Sequence, residues 1–210
     1  LKLNEADTAD SASDNRIVIS IYGGSGSGKT TIAAALQQYF LNDNTACYVL
    51  TGDNYPHRIP MRNDEERLNV YNESGEDGLR GYLGTPEEID FDRINKELSE
   101  FKEGKDIIEI KHMGREDGDI SYDETDFTGI KVLILEWTHG GSEYLKGVDI
   151  PVFLESSLEE TKARRIKRGR DENAASPFIC RVVELEQEKL DLQSKNARIV
   201  VGKDGKVYEQ

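Results

Sequence analysis

Gly23-Gly-Ser-Gly-Ser-Gly-Lys-Thr30 satisfies every fixed position of the phosphate-binding pattern G-x-x-x-x-G-K-[ST], and its neighbours supply the context that the pattern needs. Arg16-Ile-Val-Ile-Ser-Ile-Tyr22 reads as a buried strand, and Thr31 to Leu41 as a helix with Ile32, Ala35, Leu36 and Tyr39 on one face. Glycines let successive backbone N–H groups converge on phosphate oxygens, and the start of the helix adds positive potential there. Gly23, Gly24, Ser25, Gly26, Ser27 and Gly28, with Lys29, Thr30 and Thr31, are therefore the expected cradle of a nucleoside triphosphate. Lys29 would reach the β- and γ-phosphates, and the Thr30 hydroxyl would ligate Mg2+.

With 210 residues the chain is long enough for one α/β domain with a full core. We expect a flexible acidic lead-in over 1–15, rich in Asp, Ala, Ser and Thr without periodicity, and a single domain over 16–210. From Leu1 in place of Met we expect a trimmed sequence. The formal charge of −14, from 27 Lys and Arg against 41 Asp and Glu, disfavours a general nucleic-acid surface or an anionic membrane as partner. Cations that bind phosphate should accordingly be clustered. No apolar run approaches the ~18 residues needed to span a bilayer, so the expected location is cytoplasmic. Cys47 and Cys180 have no metal or redox spacing and read as ordinary packing residues.

Thr45 to Leu50 reads as a second strand, followed by Thr51-Gly-Asp-Asn-Tyr-Pro-His-Arg-Ile-Pro60, where two prolines oppose a continuing helix or strand. In open α/β sheets such a loop at the C-terminal end of a strand is where ligands lie. Residues 63–84 are polar and interrupted by Gly75, Gly78, Gly81 and Gly84, which predicts a mobile, substrate-facing segment. Thr85-Pro-Glu-Glu88 predicts a helix from Pro86 to about Lys102. Short strands are expected at Asp106 to Ile110 and Gly118 to Tyr122, and a central strand at Lys131 to Glu136. Ile150 to Leu154 is a further strand. Helices should run from Ser157, with a capping box, to about Lys167 and within Ala175 to Lys195. A strand pair at Ala197 to Val201 and Lys206 to Tyr208 closes the chain.

Phosphoryl transfer asks a protein for a phosphate cradle, Mg2+, a carboxylate near the attacking hydroxyl, and cations over the transferred group. Asp53, at the end of the second strand, could accept a proton from an acceptor hydroxyl or organise Mg2+; otherwise it caps the Gly52 turn. Glu136 resembles a Walker-B acid, near Mg2+. Arg164, Arg165, Lys167, Arg168 and Arg170 crowd one stretch of an acidic chain, and Arg168 and Arg170 flank Gly169 as a hinged lid would. Tyr55, His57, Arg58, His112 and Arg115 are candidate substrate contacts. The three histidines do not have metal-binding spacing, and His139 follows Glu136 toward the same cleft.

This order of motifs resembles the uridine kinase and phosphoribulokinase family over about Ile17 to Val201. The resemblance is carried by the glycine loop, Asp53-Asn-Tyr55, Asp90-Phe-Asp92, His112-Met-Gly-Arg115, Leu133-Ile-Leu-Glu136, Arg168-Gly-Arg-Asp171 and Ala197-Arg-Ile-Val-Val201. It implies an α/β fold, a P-loop NTPase three-layer α/β/α sandwich with a mostly parallel sheet and a helical lid. It also implies ATP and Mg2+ as cofactors and a small-molecule hydroxyl as acceptor. Asp53 would be the base, Glu136 an acidic partner near Mg2+, and Arg165, Arg168 and Arg170 the phosphate clamp. Uridine-specific members carry aromatic residues just before the histidine; Ile107 to Lys111 has none, which leaves a sugar phosphate or another hydroxyl compound open as acceptor. The segment Tyr48-Val-Leu-Thr-Gly-Asp-Asn54 is also similar to adenylylsulfate kinases, which makes that acceptor the alternative.

Two other classes are weaker. A nucleotide-switch ATPase acting on a protein partner would favour a water-positioning Gln just past Glu136, where Trp137-Thr-His139 stands. A pseudoenzyme would have little reason to keep Lys29, Thr30, Asp53 and Glu136 together. The sequence leaves the oligomeric state open, a homo-oligomer included.

Overall fold

Alternate residues of the strand before the glycine loop face opposite layers, and this divides the protein in three. The structure is a computed structural model describing residues 16–168 and 176–210, without the side chains of Arg165, Ile166 and Arg168. The lead-in 1–15 lies outside the described residues. In β1 (Ile17–Gly23), Val18 faces a cluster with Ile94, Leu98 and Phe101 of α3 (Phe91–Lys102), whereas Ile19 and Ile21 face Ala33 of α1 (Lys29–Asn42). β2 (Cys47–Thr51) and β5 (Val132–Glu136) alternate in the same way. A sheet apolar on both faces needs helices on both, which gives the expected three layers.

The main sheet has the order β2-β5-β1-β6-β7-β8, with β6 at Ile150–Leu154, β7 at Ile199–Val201 and β8 at Val207–Glu209. β2, β5, β1, β6 and β7 are parallel, and β8 pairs antiparallel with β7. β3 (Ile107–Met113) and β4 (Ile120–Asp126) form a separate antiparallel hairpin. Both strands run further than expected, so His112 lies inside β3 rather than after it. α4 (Leu158–Arg168) carries the expected capping box: Ser157 Oγ accepts from Glu160 N at 3.2 Å, and Glu160 Oε2 from Ser157 N at 3.1 Å. α5 spans Pro177–Gln193.

Three local expectations are corrected. Residues 63–84 lie within or just beyond α2, a helix over Pro60–Tyr82 in which Gly75 alone is non-helical, at φ 68°. Pro60 opens that helix as its first residue, where no N–H is needed. Tertiary packing outweighs the glycines: Leu79 and Leu83 meet Val182 and Leu185 of α5. Thr85 to Ile89 is a turn, and α3 begins only at Phe91, where the Asp90 carboxylate accepts from Arg93 N at 3.0 Å. On α1 the packed residues are Ile32, Ala33, Leu36 and Phe40, while Ala35 and Tyr39 are exposed.

The Thr85 turn carries Glu88 into the interior. Its Oε1 accepts from Arg67 Nε at 2.6 Å and Asn63 Nδ2 at 2.9 Å, and its Oε2 from Gly84 N at 2.6 Å. Arg67 in turn reaches Glu186 of α5 at 3.0 Å. Burial opposes the Glu88 charge, but Arg67, His139 and these hydrogen bonds outweigh it and hold the carboxyl below its usual pKa. Its contribution to stability is therefore present above the ordinary carboxylate range and lost as pH falls through the lowered folded value. Glu88→Gln should cost about 3 kcal/mol in urea unfolding at pH 7, because Arg67 loses a buried partner. The difference from the parent protein should shrink below about pH 4.3.

Candidate active site

Backbone geometry makes the glycine loop an anion cradle. Gly26 has φ 86°, a left-handed conformation, and a Cβ there would sit 2.9 Å from Arg164 Cβ. The Arg164 guanidinium bonds the Gly26 carbonyl at 2.6 Å, tying α4 to the loop. Lys29 is buried, its Nζ 3.0 Å from the carbonyls of Gly23 and Gly24. Among the described residues Ser27 Oγ is buried without a hydrogen-bond partner, a donor that a phosphate oxygen would satisfy. Together with the α1 N-terminus, these residues fit a nucleoside phosphate.

Strand register then places the two candidate acids. Glu136 at the end of β5 stands between Ile21 of β1 and Thr51 of β2, in one row across the sheet. Gly23 is two residues beyond Ile21 and Asp53 two beyond Thr51, so loop, Glu136 and Asp53 share the C-terminal edge. Glu136 is half-buried and Asp53 exposed. Among the described residues no group of three or more His, Cys, Asp or Glu could hold a metal ion. One hydroxyl and one or two carboxylates fit instead a Mg2+ that takes its remaining ligands from phosphate and water.

Asp53 is fixed by what surrounds it. It lies in the 3-10 turn Gly52–Asn54, and a Cβ on Gly52 would fall inside the Trp137 ring. Trp137 N donates to Ile21 O at 3.0 Å, and its indole touches Tyr55, Phe91 and His139. Asn54 Oδ1 accepts from Met113 N at 3.3 Å, which brings the β3–β4 hairpin to the Asp53 turn. Asn54, Trp137 and Arg164 were not singled out as site residues; the clue to Trp137 is its place beside Gly52 across neighbouring strands, a tertiary relation.

The candidate substrate residues separate. Tyr55 is fully buried, and its hydroxyl donates to Glu97, so its side chain belongs to the core below the cleft. His57 is exposed, with Nε2 3.0 Å from Pro86 O. Arg58 points toward α2, 3.4 Å from the Tyr82 hydroxyl and 3.5 Å from Glu66. His112 is half-exposed, 3.8 Å from Asp123, and Arg115 is exposed at the hairpin turn. His139 is half-buried, and desolvation lowers its pKa against the pull of Glu186 and Glu88. Of the lid candidates, the side chains of Arg165 and Arg168, and all of Arg170, lie outside the described residues.

A buried polar network supports this floor. Glu97 accepts from Tyr55, from Arg93 Nε at 2.5 Å and from Lys111 N at 3.1 Å. Burial raises its pKa despite those partners. Lys111 is buried as well, its Nζ 3.0 Å from Pro56 O and 3.5 Å from Asp90. Burial lowers its pKa against the pull of Asp90.

A mostly parallel sheet with a glycine cradle and two acids along its C-terminal edge is the arrangement of a P-loop nucleotide-binding protein. The chain belongs to the Phosphoribulokinase / Uridine kinase family, whose model matches residues 18–201. It is 75% identical over 201 residues to a bifunctional alpha-galactosidase/sucrose kinase of Mediterraneibacter gnavus, covering 96% of this chain and 22% of that protein. The chain thus spans about a fifth of that relative's length. It is 30% identical over 168 residues to the uridine kinase of Brevibacillus brevis, covering 77% of this chain and 70% of the other. Phosphoribulokinase from Rhodobacter sphaeroides shares the fold, with a TM-score of 0.67 at 14% identity over 90% of this chain and 71% of the other. The family resemblance read from the motifs is borne out. Among the described residues no helix is long and apolar enough to cross a membrane.

Gly52→Ala should destabilise the protein by about 3 kcal/mol in urea unfolding, since the indole or the turn must shift. Trp137→Phe in the same background should recover part of the loss.

Proposed function

We propose that this domain transfers the γ-phosphate of ATP, with Mg2+, to a hydroxyl of a neutral carbohydrate, sucrose being the first candidate. The observation that carries the reading is the shared edge of glycine loop, Glu136 and Asp53, reached by the turn that Trp137 and Asn54 hold. The stretch similar to the sucrose kinase contains that whole edge, which supports a sugar over a nucleoside as acceptor.

Lys29 and the loop N–H groups hold the donor phosphates, and Thr30, Asp53 and Glu136 are the residues available to the metal. Mg2+ held there would neutralise charge on the phosphate oxygens. Asp53 orients the acceptor hydroxyl and takes its proton as the oxygen attacks the γ-phosphorus, while the bond from that phosphorus to the β–γ bridging oxygen breaks and ADP leaves. Arg165, Arg168 and Arg170 are proposed to close over the transferred group. Tyr55 acts from below by fixing the turn, while His57, His112 and Arg115 remain the side chains offered to an acceptor. A cytoplasmic location accords with the use of ATP.

A coupled ADP-release assay should show transfer to sucrose and little or none to uridine or ribulose 5-phosphate; transfer to uridine alone would overturn the carbohydrate reading. Asp53→Asn should lower kcat by about 10²- to 10⁴-fold. Affinity for a non-hydrolysable ATP analogue in the absence of Mg2+, measured by calorimetry, should stay within two-fold (about 0.4 kcal/mol).

A further inference from the structure

Beside the acceptor half of the site lies a cavity of about 220 Å3, formed where the start of α3 meets the loop after β5. Asp90, Asp92 and Glu143 bring three carboxylates to its wall, with His57, Tyr144 and Lys146 around them. Resting on the carbohydrate reading above, we propose that this cavity is a second sugar subsite, holding the ring of a neutral disaccharide that is not phosphorylated.

Its geometry is built before any ligand arrives. Asn95 of α3 clamps the loop from both sides, donating to Tyr144 O at 2.9 Å and accepting from Lys146 N at 2.8 Å. Ser142 adds bonds to Tyr144 N at 3.3 Å and Leu145 N at 3.1 Å. The Tyr144 ring rests on the buried Phe91 ring at 5.4 Å and is 39% exposed, so one aromatic surface is backed by the core and another is presented outward. Asp90 is held by Arg93 N and Lys111. A hexose offers an apolar face of C–H groups and a rim of hydroxyl donors. A fixed aromatic ring and fixed carboxylate acceptors match these two features.

Position and charge narrow the ligand. Asp90 N donates to Tyr55 O at 2.8 Å, and Tyr55 is two residues from Asp53. The cavity wall is therefore within about 12 Å of the catalytic turn by chain geometry, the span of two linked rings. With Asp90 paired to Lys111, Asp92 and Glu143 still face Lys146 and His57 and weigh against an anion, so a ring bearing phosphate is disfavoured. Glu143 and Tyr144 thus select a neutral, two-ring acceptor.

The test is steady-state kinetics of the intact chain with sucrose, glucose, fructose and sucrose 6-phosphate. Tyr144→Ala and Glu143→Gln should each raise KM for sucrose roughly ten-fold, the loss of one good contact. KM for ATP, kcat, and any turnover of the single-ring sugars should be unchanged, and Tyr144→Phe should behave as the parent. Unaltered KM for sucrose in both variants, or equal effects on one-ring and two-ring sugars, would overturn the subsite while leaving the carbohydrate kinase standing. Failure of the parent protein to use sucrose, with transfer to uridine or ribulose 5-phosphate instead, would remove the carbohydrate reading itself and leave a kinase of another acceptor.

Discussion

Trp137 follows Glu136 directly, and its indole occupies the space that any side chain at position 52 would need. The row that sets Glu136 between β1 and β2 therefore also sets how far the Asp53 turn stands from the phosphate loop. Phe91 and Tyr55 press on the same indole, one from the start of α3 and one from the turn itself. Donor edge, turn and α3 are referenced to one rigid aromatic body, and close packing transmits any displacement of it.

The polar interior complements this contact. Glu97 and Glu88 are two buried acids on neighbouring stretches with opposite pKa displacements. Glu88 has Arg67, Asn63 and Gly84 N converging on it. Glu97 receives Arg93, Tyr55 and a backbone N–H, yet desolvation prevails. Each closes a different join: Glu88 links α2 to the turn before α3 and, through Arg67, to α5. Glu97 links the Asp53 turn, α3 and β3. Buried polar groups of this kind fix relative orientation, since an alternative packing would leave a charge unpaired.

The donor half was legible because its signals are local. The glycine loop, the apolar run ending at Glu136 and the Ser157 capping box each specify their own conformation, and each is where the sequence placed it. Residues 63–84 misled because glycine is a local breaker, whereas α2 is held by Leu79, Leu83 and Arg67 reaching α5 more than a hundred residues away. Tyr55 carried a family pattern but no information on burial. Trp137 and Asn54 matter through contacts between segments far apart in the chain, for which a single sequence has no periodic signature. Lys111 left a faint mark, a charge directly after an inward-facing Ile110.

Among the described residues the β3–β4 hairpin shares no ladder with the main sheet; Ile108 and Ile110 of β3 pack in the core, Asn54 and Lys111 tie β3 to the Asp53 turn, Arg93 ties it to α3, and β4 is the outer strand. Substitutions on its outer strand and tip should then add to changes at the phosphate loop with little coupling, because they share no partners. A lineage could try new acceptors by altering this appendage and the Asn95-clamped loop while its donor chemistry stayed intact. In this fold the side chains offered to an acceptor stand on different segments from the phosphate loop, and Trp137 is where the two meet.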